Sequence, residues 1–183
     1  GFLEHDMMTG AERELPMDGF PSPDELWERY SRQDGLTDEG EEIVEAPYYH
    51  DYGTLTPRYY QRNAVNETIR AIAHGQRRIL LVMATGTGKT FTAFQLVHRL
   101  RESGVVRKVL YLADRNVLVD QTITGDFKPL EKVTTKVKGR TLDSAYEVYF
   151  SLYQQLVGED GEEIFRAFDP SFFDLVIVDE CHR

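Results

Sequence analysis

One short segment of the sequence combines glycine, threonine and lysine in a pattern suited to holding phosphate groups. Its residues are Thr85, Gly86, Thr87, Gly88, Lys89 and Thr90. Glycines let the backbone curl so that successive N–H groups point into one cavity at a helix N-terminus, where the helix dipole favours an anion. The ammonium of Lys89 would then reach the outer phosphates of a nucleoside triphosphate, and the hydroxyl of Thr90 would coordinate Mg²⁺.

A second group of candidate residues closes the last apolar stretch of the chain. The sequence "FDLVIVDECHR" predicts a strand that ends at Asp179 and Glu180. A parallel strand presents the residues at its carboxyl end to the ligand crevice of an α/β sheet. We therefore expect Asp179 to hold Mg²⁺ through water and Glu180 to polarise the attacking water, so that both carboxylates share one pocket with Lys89.

The elements that must position these residues follow an alternating pattern of helices and strands. Helices are predicted over 57–75, over 89–103 with Gly104 as the stop, over 116–123 and over 164–168. Strands are predicted over 79–83, 108–113, 132–138, 146–151 and 174–178. Short continuous apolar strands separated by helices are typical of an α/β fold with a mainly parallel sheet and helices on both faces.

The charge of the chain is concentrated in its first part. The formal net charge is −10 over 183 residues. Residues 1–50 hold 14 Asp and Glu against 3 Lys and Arg, which gives −11, and residues 51–183 hold 17 against 18, which gives +1. Because the acidity belongs to the first part, the low pI does not exclude a nucleic-acid partner for the balanced remainder.

Residues 1–50 are interpreted as an acidic linker with one short helix, and residues 51–183 as the main domain. Ser22 and Pro23 have the residue types of a helix N-cap and first helical position, and Trp27 and Tyr30 supply an apolar face. The alternative for this part is a disordered acidic tail.

Other features of the sequence point to a cytoplasmic protein without membrane segments. Cys181 is the single cysteine, which excludes a disulfide framework and a multi-cysteine zinc site. No apolar run reaches about 18 residues, and the first residues lack the pattern of a signal peptide. The start at Gly1 rather than Met favours a piece of a longer chain or a tag remnant.

The motifs resemble those of helicase-like motors of superfamily 2. The usual phosphate loop has a glycine where Met83 stands, whereas Ala84 to Thr90 is similar to the variant of this superfamily. In this resemblance His182 belongs to a D-E-x-H box and links the ATP site to the nucleic-acid groove. Gln61, 28 positions before Lys89, matches the element that reads adenine.

A closer resemblance is to the motor (R) subunit of type I restriction-modification enzymes, with type III restriction motors as relatives. It is carried by "LTPRYYQ", "MATGTGKT", "LADRNVLVDQ", "VYFSLYQQL" and "DLVIVDECHR", and by the front stretch "FPSPDELWERY". The resemblance implies a RecA-like lobe with ATP and Mg²⁺ as cofactors. It implies double-stranded DNA as a partner, together with methyltransferase and specificity subunits.

The resemblance also implies DNA contacts from two places in the chain. Arg115 and Asn116 would touch the DNA backbone after the strand 108–113. Leu152 stands where the family often has threonine, so Ser151 or Gln154 would take over the contact made there.

Three functions remain open from the sequence. The first is the ATP-dependent DNA translocase portion of a type I restriction endonuclease. The second is a nucleotide-binding or assembly module without turnover of its own, since we expect this lobe alone to hydrolyse ATP slowly or not at all. The third is another superfamily 2 helicase, of the type III restriction or the repair class.

Overall fold

The computed structural model describes residues 1–7, 9–51, 53, 56–114, 116–137, 143–157 and 169–181. The helices are α1 (Pro23–Asp34), α2 (Asp38–Glu45), α3 (Tyr59–Ala73), α4 (Lys89–Glu102), α5 (Asn116–Thr124) and α6 (Tyr153–Val157), with a 3-10 helix at Lys128–Val133. The strands are β1 (Phe2–His5), β2 (Glu12–Leu15), β3 (Val109–Ala113), β4 (Thr134–Lys136), β5 (Val148–Leu152) and β6 (Leu175–Val178). Within the described ranges, no helix has the length and apolar character needed to cross a bilayer.

The main sheet contains four parallel strands in the order β4-β5-β3-β6. Its side chains alternate between two apolar layers, as the period of a strand requires. Val109, Tyr111 and Phe150 point to the layer that contains the helix residues Phe94 and Val97. Leu110 and Tyr149 point to a smaller layer on the opposite face. The prediction of an α/β fold with a parallel sheet is confirmed.

The strand predicted at 79–83 is wrong in this structure. These residues belong to no helix or strand, and Leu80 and Val82 are 71% and 89% exposed. The sequence pattern identified an apolar segment, but an extended segment becomes a strand only where a neighbour accepts and donates ladder hydrogen bonds. In the described part of the chain, β6 pairs with β3 alone and therefore lies at the edge of the sheet.

The other predicted elements are found close to their expected bounds. The helix predicted at 57–75 is α3, and the helix predicted at 89–103 is α4. The four strands predicted after residue 107 correspond to β3, β4, β5 and β6. The helix predicted over 164–168 lies outside the described residues.

The first part of the chain is more structured than the sequence predicted. The expected helix is α1, in which Ser22 and Glu25 form a reciprocal capping box. The antiparallel hairpin β1–β2 and the helix α2 were not predicted. The segment Thr37-Asp38-Glu39 is a recognisable helix start, because the Thr37 hydroxyl accepts from the N–H of Gly40 at 3.1 Å.

The segment that follows α2 is packed into the main core. Ile43 and Ala46 are 5% and 7% exposed. The guanidinium of Arg99 donates to the carbonyl oxygens of Val44 at 2.6 Å and Ala46 at 2.7 Å. Three residues after Ala46, the N–H of Tyr49 donates to Oε1 of the buried Gln95 in α4 at 3.0 Å, and Gln95 Nε2 donates to the Tyr49 carbonyl at 3.3 Å. The packing therefore continues across residue 50.

Candidate nucleotide site

The phosphate-loop candidate forms a tight turn immediately before α4. The backbone N–H and the hydroxyl of Thr87 both donate to the carbonyl of Ala84, at 3.3 and 2.6 Å. Gly86 and Gly88 have φ angles of +79° and +82°, a region that side chains with a Cβ rarely occupy. Gly88 is also the N-cap of α4, so that the loop leads directly into the positive end of a 14-residue helix.

The acidic pair reaches this loop from the end of β6. The N–H of Asp179 donates to the carbonyl of Leu112 at 2.9 Å, which extends the ladder between β6 and β3 by one residue. Lys89 Nζ contacts Glu180 Oε1 across 91 residues of sequence. The two side chains are 29% and 22% exposed, so the pair is partly shielded from water. The structure therefore brings the loop lysine and the carboxyl end of the last strand together, as expected.

Glu180 has an unusual backbone conformation at this position. Its φ of +54° makes it the one non-glycine residue with positive φ among the described residues. Such conformations cost of order 1–3 kcal/mol and cluster at functional sites. The turn directs the chain away from the sheet directly after Asp179, and it leaves the Glu180 carboxylate against Lys89.

Gln61 contacts the loop rather than open solvent. Its side chain is buried at the start of α3, where Oε1 accepts from the N–H of Arg58 at 2.8 Å. Its Nε2 donates to the carbonyl of Thr87 at 2.9 Å, and the Tyr60 hydroxyl donates to the same oxygen at 3.3 Å. A Cβ on Gly88 would lie 2.4 Å from Gln61 Nε2, so the Gln61 amide would have to move to accept it, and the φ of +82° itself favours glycine. The amide predicted to read adenine thus adjoins the phosphate loop.

Two tyrosines that sequence reasoning missed surround Asp179. Tyr111, in β3, donates its hydroxyl to Asp179 Oδ2 at 3.2 Å. Tyr153, at the start of α6, donates to the Asp179 carbonyl at 2.7 Å. Burial, and then the nearby Asp179 carboxylate, raise the pKa of Tyr111 well above its usual range, so this hydroxyl stays protonated. The signal that could have found Tyr111 is its place in the central strand, two positions short of the carboxyl end.

The predicted DNA contacts and the coupling histidine are only partly described. Arg115 and His182 lie outside the described residues. Asn116 begins α5, but its side chain is outside them too. Gln154 is exposed, and its Nε2 lies 3.5 Å from the Asp114 carbonyl.

Ser151, for which a DNA contact was predicted, is buried in this structure. Ser151 is 1% exposed, and its hydroxyl donates to the Leu152 carbonyl at 3.2 Å. The reason is its place within β5, the strand that lies between β4 and β3 in the sheet.

The assembled side chains fit a nucleoside triphosphate with Mg²⁺. A lysine at a helix N-terminus and two left-handed glycines suit phosphate oxygens. Mg²⁺ prefers oxygen ligands, and it is commonly held by one or two carboxylates together with substrate phosphates. Asp179 at the end of β6 and Thr90 in the first turn of α4 supply ligands of this kind. Thr85 is exposed beside the loop glycines.

Comparisons with known proteins agree with this arrangement. Residues 54–183 match the protein family described as "Type III restriction enzyme, res subunit". The chain is 49% identical over 188 residues to the type I restriction enzyme EcoAI endonuclease subunit of Escherichia coli, and the match covers 100% of the chain and 23% of that protein. It is 34% identical over 143 residues to the EcoKI endonuclease subunit of Escherichia coli strain K12, covering 69% of the chain and 11% of the relative.

A solved structure matches nearly the whole chain. It is the structure of a fragment assigned as an HsdR subunit of a type I restriction enzyme from Vibrio vulnificus YJ016. The TM-score is 0.75 and the identity 36%, and the match covers 98% of this chain and 32% of that chain. The chain thus spans about a quarter of the EcoAI subunit and about a third of the Vibrio chain.

Proposed function

The chain belongs to the restriction-enzyme family described as the type III res subunit and is a homologue of type I restriction endonuclease subunits, and from this premise we propose that it is the ATP-binding lobe of a DNA-translocating motor. In this proposal the lobe binds ATP and Mg²⁺, and the complete subunit hydrolyses ATP to move duplex DNA before cleavage. The observation that carries the proposal is the contact between Lys89 and Glu180, which joins the phosphate loop to the end of β6.

Each residue of the site has a defined part in this function. Lys89 exchanges its contact with Glu180 for the β- and γ-phosphate oxygens when nucleotide binds. The freed Glu180 carboxylate then accepts a hydrogen bond from the attacking water and polarises it. Thr90 and Asp179 hold Mg²⁺, which, when bound, neutralises the charge on the phosphate oxygens.

Separate residues are assigned to the nucleotide base and to the nucleic acid. Gln61 recognises adenine with its amide, which requires a rearrangement of its contact with Thr87. Gln154, together with Asn116 and Arg115, contacts the DNA backbone, and His182 couples that contact to the nucleotide. These assignments rest on the resemblance of the motifs.

The partners are proposed from the resemblance of the motifs together with the names of the relatives. The EcoAI and EcoKI proteins are endonuclease subunits of type I restriction enzymes. We therefore propose double-stranded DNA, a methyltransferase subunit and a specificity subunit as partners in the cytoplasm. Sequence recognition belongs to those other subunits, because the motifs of this chain resemble ATPase and backbone-contact elements rather than elements that read base edges.

A second candidate function is nucleotide binding without turnover by this lobe alone. The observation that favours it is the share of the relatives that the chain covers, 23% of the EcoAI subunit. In motors of this class ATP is hydrolysed between two lobes, so that a single lobe holds only half of the catalytic groups.

Nucleotide binding is tested with a fluorescent ATP analogue in the presence of MgCl₂. Lys89→Ala is expected to lower affinity at least a hundredfold without changing the circular dichroism spectrum. Lys132→Ala is the matched control, since Lys132 is exposed on the 3-10 helix away from the loop. Unchanged binding by Lys89→Ala would remove the phosphate-loop assignment.

Turnover is tested by the ATPase rate with and without linear duplex DNA, for the 183-residue chain and for the complete subunit. We expect DNA to stimulate the complete subunit and the chain alone to be inactive or very slow. DNA-independent hydrolysis at full speed by the chain alone would instead identify a self-contained ATPase and contradict the motor assignment.

A further inference from the structure

We propose that Tyr111 is a positioning residue for the Asp179 carboxylate, and that it acts on the cation site through this aspartate. The inference deepens the proposed function and rests on it, because it depends on Asp179 holding Mg²⁺ through water. It is carried by the hydrogen bond from the Tyr111 hydroxyl to Asp179 Oδ2 at 3.2 Å, which joins residues 68 positions apart.

The register of the sheet explains why a tyrosine at this position reaches that carboxylate. Tyr111 in β3 lies beside Ile177 in the neighbouring parallel strand β6. Ile177 and Asp179 are two residues apart, so that all three side chains belong to the same face of the sheet. The distance to cover is two residues along a strand, about 6.6 Å, and side chains in strands lean along the strand direction. A shorter side chain at position 111 would not reach the carboxylate.

The ring of Tyr111 is held in place on its other sides. Its exposure is 2%, and its centroid lies 4.9 Å from that of Phe150 in a stacked arrangement and 5.7 Å from that of Phe127 edge to face. Both arrangements are favourable for aromatic pairs. The hydroxyl is therefore held in one position before a ligand binds, so that ligand binding does not have to order this side chain.

Asp179 is fixed through three of its atoms. Its N–H donates to the Leu112 carbonyl at 2.9 Å, its carbonyl accepts from Tyr153 at 2.7 Å, and its Oδ2 accepts from Tyr111. The first two bonds fix the backbone, whereas the Tyr111 bond is the one that holds the side chain among the residues the structure describes. Residues that orient a metal ligand in this way typically change metal affinity 10- to 100-fold when they are replaced.

A purely structural explanation is that Tyr111 needs some acceptor for its buried hydroxyl. Tyr149 provides the control for this explanation, because it is a buried tyrosine of the adjacent strand β5 with an exposure of 0%. Its hydroxyl donates to the carbonyl oxygens of Asp143 and Tyr146, each at 2.7 Å, and its ring belongs to the layer on the opposite face of the sheet. Removing that hydroxyl tests the cost of losing a buried tyrosine hydrogen bond without touching Asp179.

The experiment compares Tyr111→Phe and Tyr149→Phe in the complete subunit. Binding of a fluorescent ATP analogue is titrated with MgCl₂ and also measured in EDTA, and thermal melting verifies the fold. Phenylalanine keeps both ring contacts at position 111. We expect Tyr111→Phe to raise the Mg²⁺ concentration for half-maximal effect about tenfold, with unchanged affinity in EDTA. Tyr149→Phe should leave both quantities at the wild-type values.

A double variant supplies the second measurement. If Tyr111 acts through Asp179, then Tyr111→Phe should produce no further shift in an Asp179→Asn background. An unchanged Mg²⁺ midpoint for Tyr111→Phe, or an equal shift for both tyrosine variants, would overturn the inference and leave the nucleotide site intact. Wild-type protein whose ATP binding did not respond to Mg²⁺ would instead overturn the proposed function itself, and the inference with it.

Discussion

Replacing Arg99 by methionine should weaken the packing of the first part of the chain against α4. The hydrogen bonds of Arg99 to Val44 and Ala46, which we call the clasp, hold these two parts together. Arg99 is 4% exposed and donates to three oxygens: the carbonyls of Val44 and Ala46, and Asn66 Oδ1 at 2.9 Å. Its guanidinium also lies 4.6 Å from the ring centroid of Tyr48. Burial lowers the pKa of Arg99, but an arginine remains charged at neutral pH.

The magnitude follows from the groups that the substitution leaves behind. α2 has no basic residue in its last turn, so that Arg99 supplies the cation at the negative end of this helix dipole. Methionine keeps much of the apolar packing but leaves the carbonyls of Val44 and Ala46 without this donor, at about 1–3 kcal/mol each. Since these costs are not fully additive, we expect Arg99→Met to lower the free energy of unfolding by about 3 kcal/mol.

The assay is urea denaturation of the 183-residue chain, followed by circular dichroism. With an m-value of about 2–3 kcal/mol/M, a loss of about 3 kcal/mol moves the midpoint by about 1 M or more. Arg101→Met is the matched control on the same helix, because Arg101 makes an ion pair with the partly exposed Glu147 and should cost less than about 1 kcal/mol. Equal midpoints for the two variants would refute the reasoning. Arg99→Lys should lie between them, since a single ammonium cannot replace the planar fork.

Three further substitutions test individual contacts. Gly88→Ala and Gly86→Ala both place a Cβ on a left-handed backbone, at a cost of about 1–2 kcal/mol, but only at position 88 does it lie 2.4 Å from Gln61 Nε2. We therefore expect Gly88→Ala to lower ATP affinity much more than Gly86→Ala in a fluorescence titration, and equal losses would contradict this. Asp34 accepts hydrogen bonds from Arg70 in α3 and from His74 directly after this helix, and both lower its pKa. Its contribution to stability is present above the unfolded pKa of about 3.9 and is lost as pH falls through the lower folded value. Asp34→Asn should therefore lower the urea midpoint at pH 7, and its difference from wild type should shrink as the pH is lowered below about 3.9.

The parts of the fold that sequence predicted well are those encoded by local pattern. The start of α1 is marked by Ser22 and Pro23, and the end of α4 is marked by Gly104 after its last turn. The apolar run of β3 is buried, and β6 pairs with it and packs Leu175 and Ile177 against the core, so that continuous apolar runs were informative for both strands. The strand predicted at 79–83 had an equally apolar sequence, but composition does not specify whether a partner edge pairs with it.

The residues of the candidate site show the same difference between local motifs, which the sequence reveals, and contacts set by strand pairing, which it does not. Lys89, Asp179 and Glu180 were predicted because they belong to motifs whose spacing along the chain is informative, and the contact between Lys89 and Glu180 agrees with that prediction. Tyr111 was missed because its role depends on the register between two strands that are far apart in sequence. The burial of Ser151 was missed for the same reason.

The clasp at Arg99 also changes how the front segment relates to the site. α4 begins with Lys89, and Arg99 follows ten residues later, about 15 Å along the same helix. Gln95 and Arg99 are four positions apart and therefore share the face that holds the segment after α2. Because a helix of this length moves as a rigid unit, a shift of the phosphate loop along its axis must either carry the front segment with it or break the buried hydrogen bonds of the clasp. The net charge of the chain changes at about residue 50, but the buried contacts of α4 connect the residues on the two sides of that position.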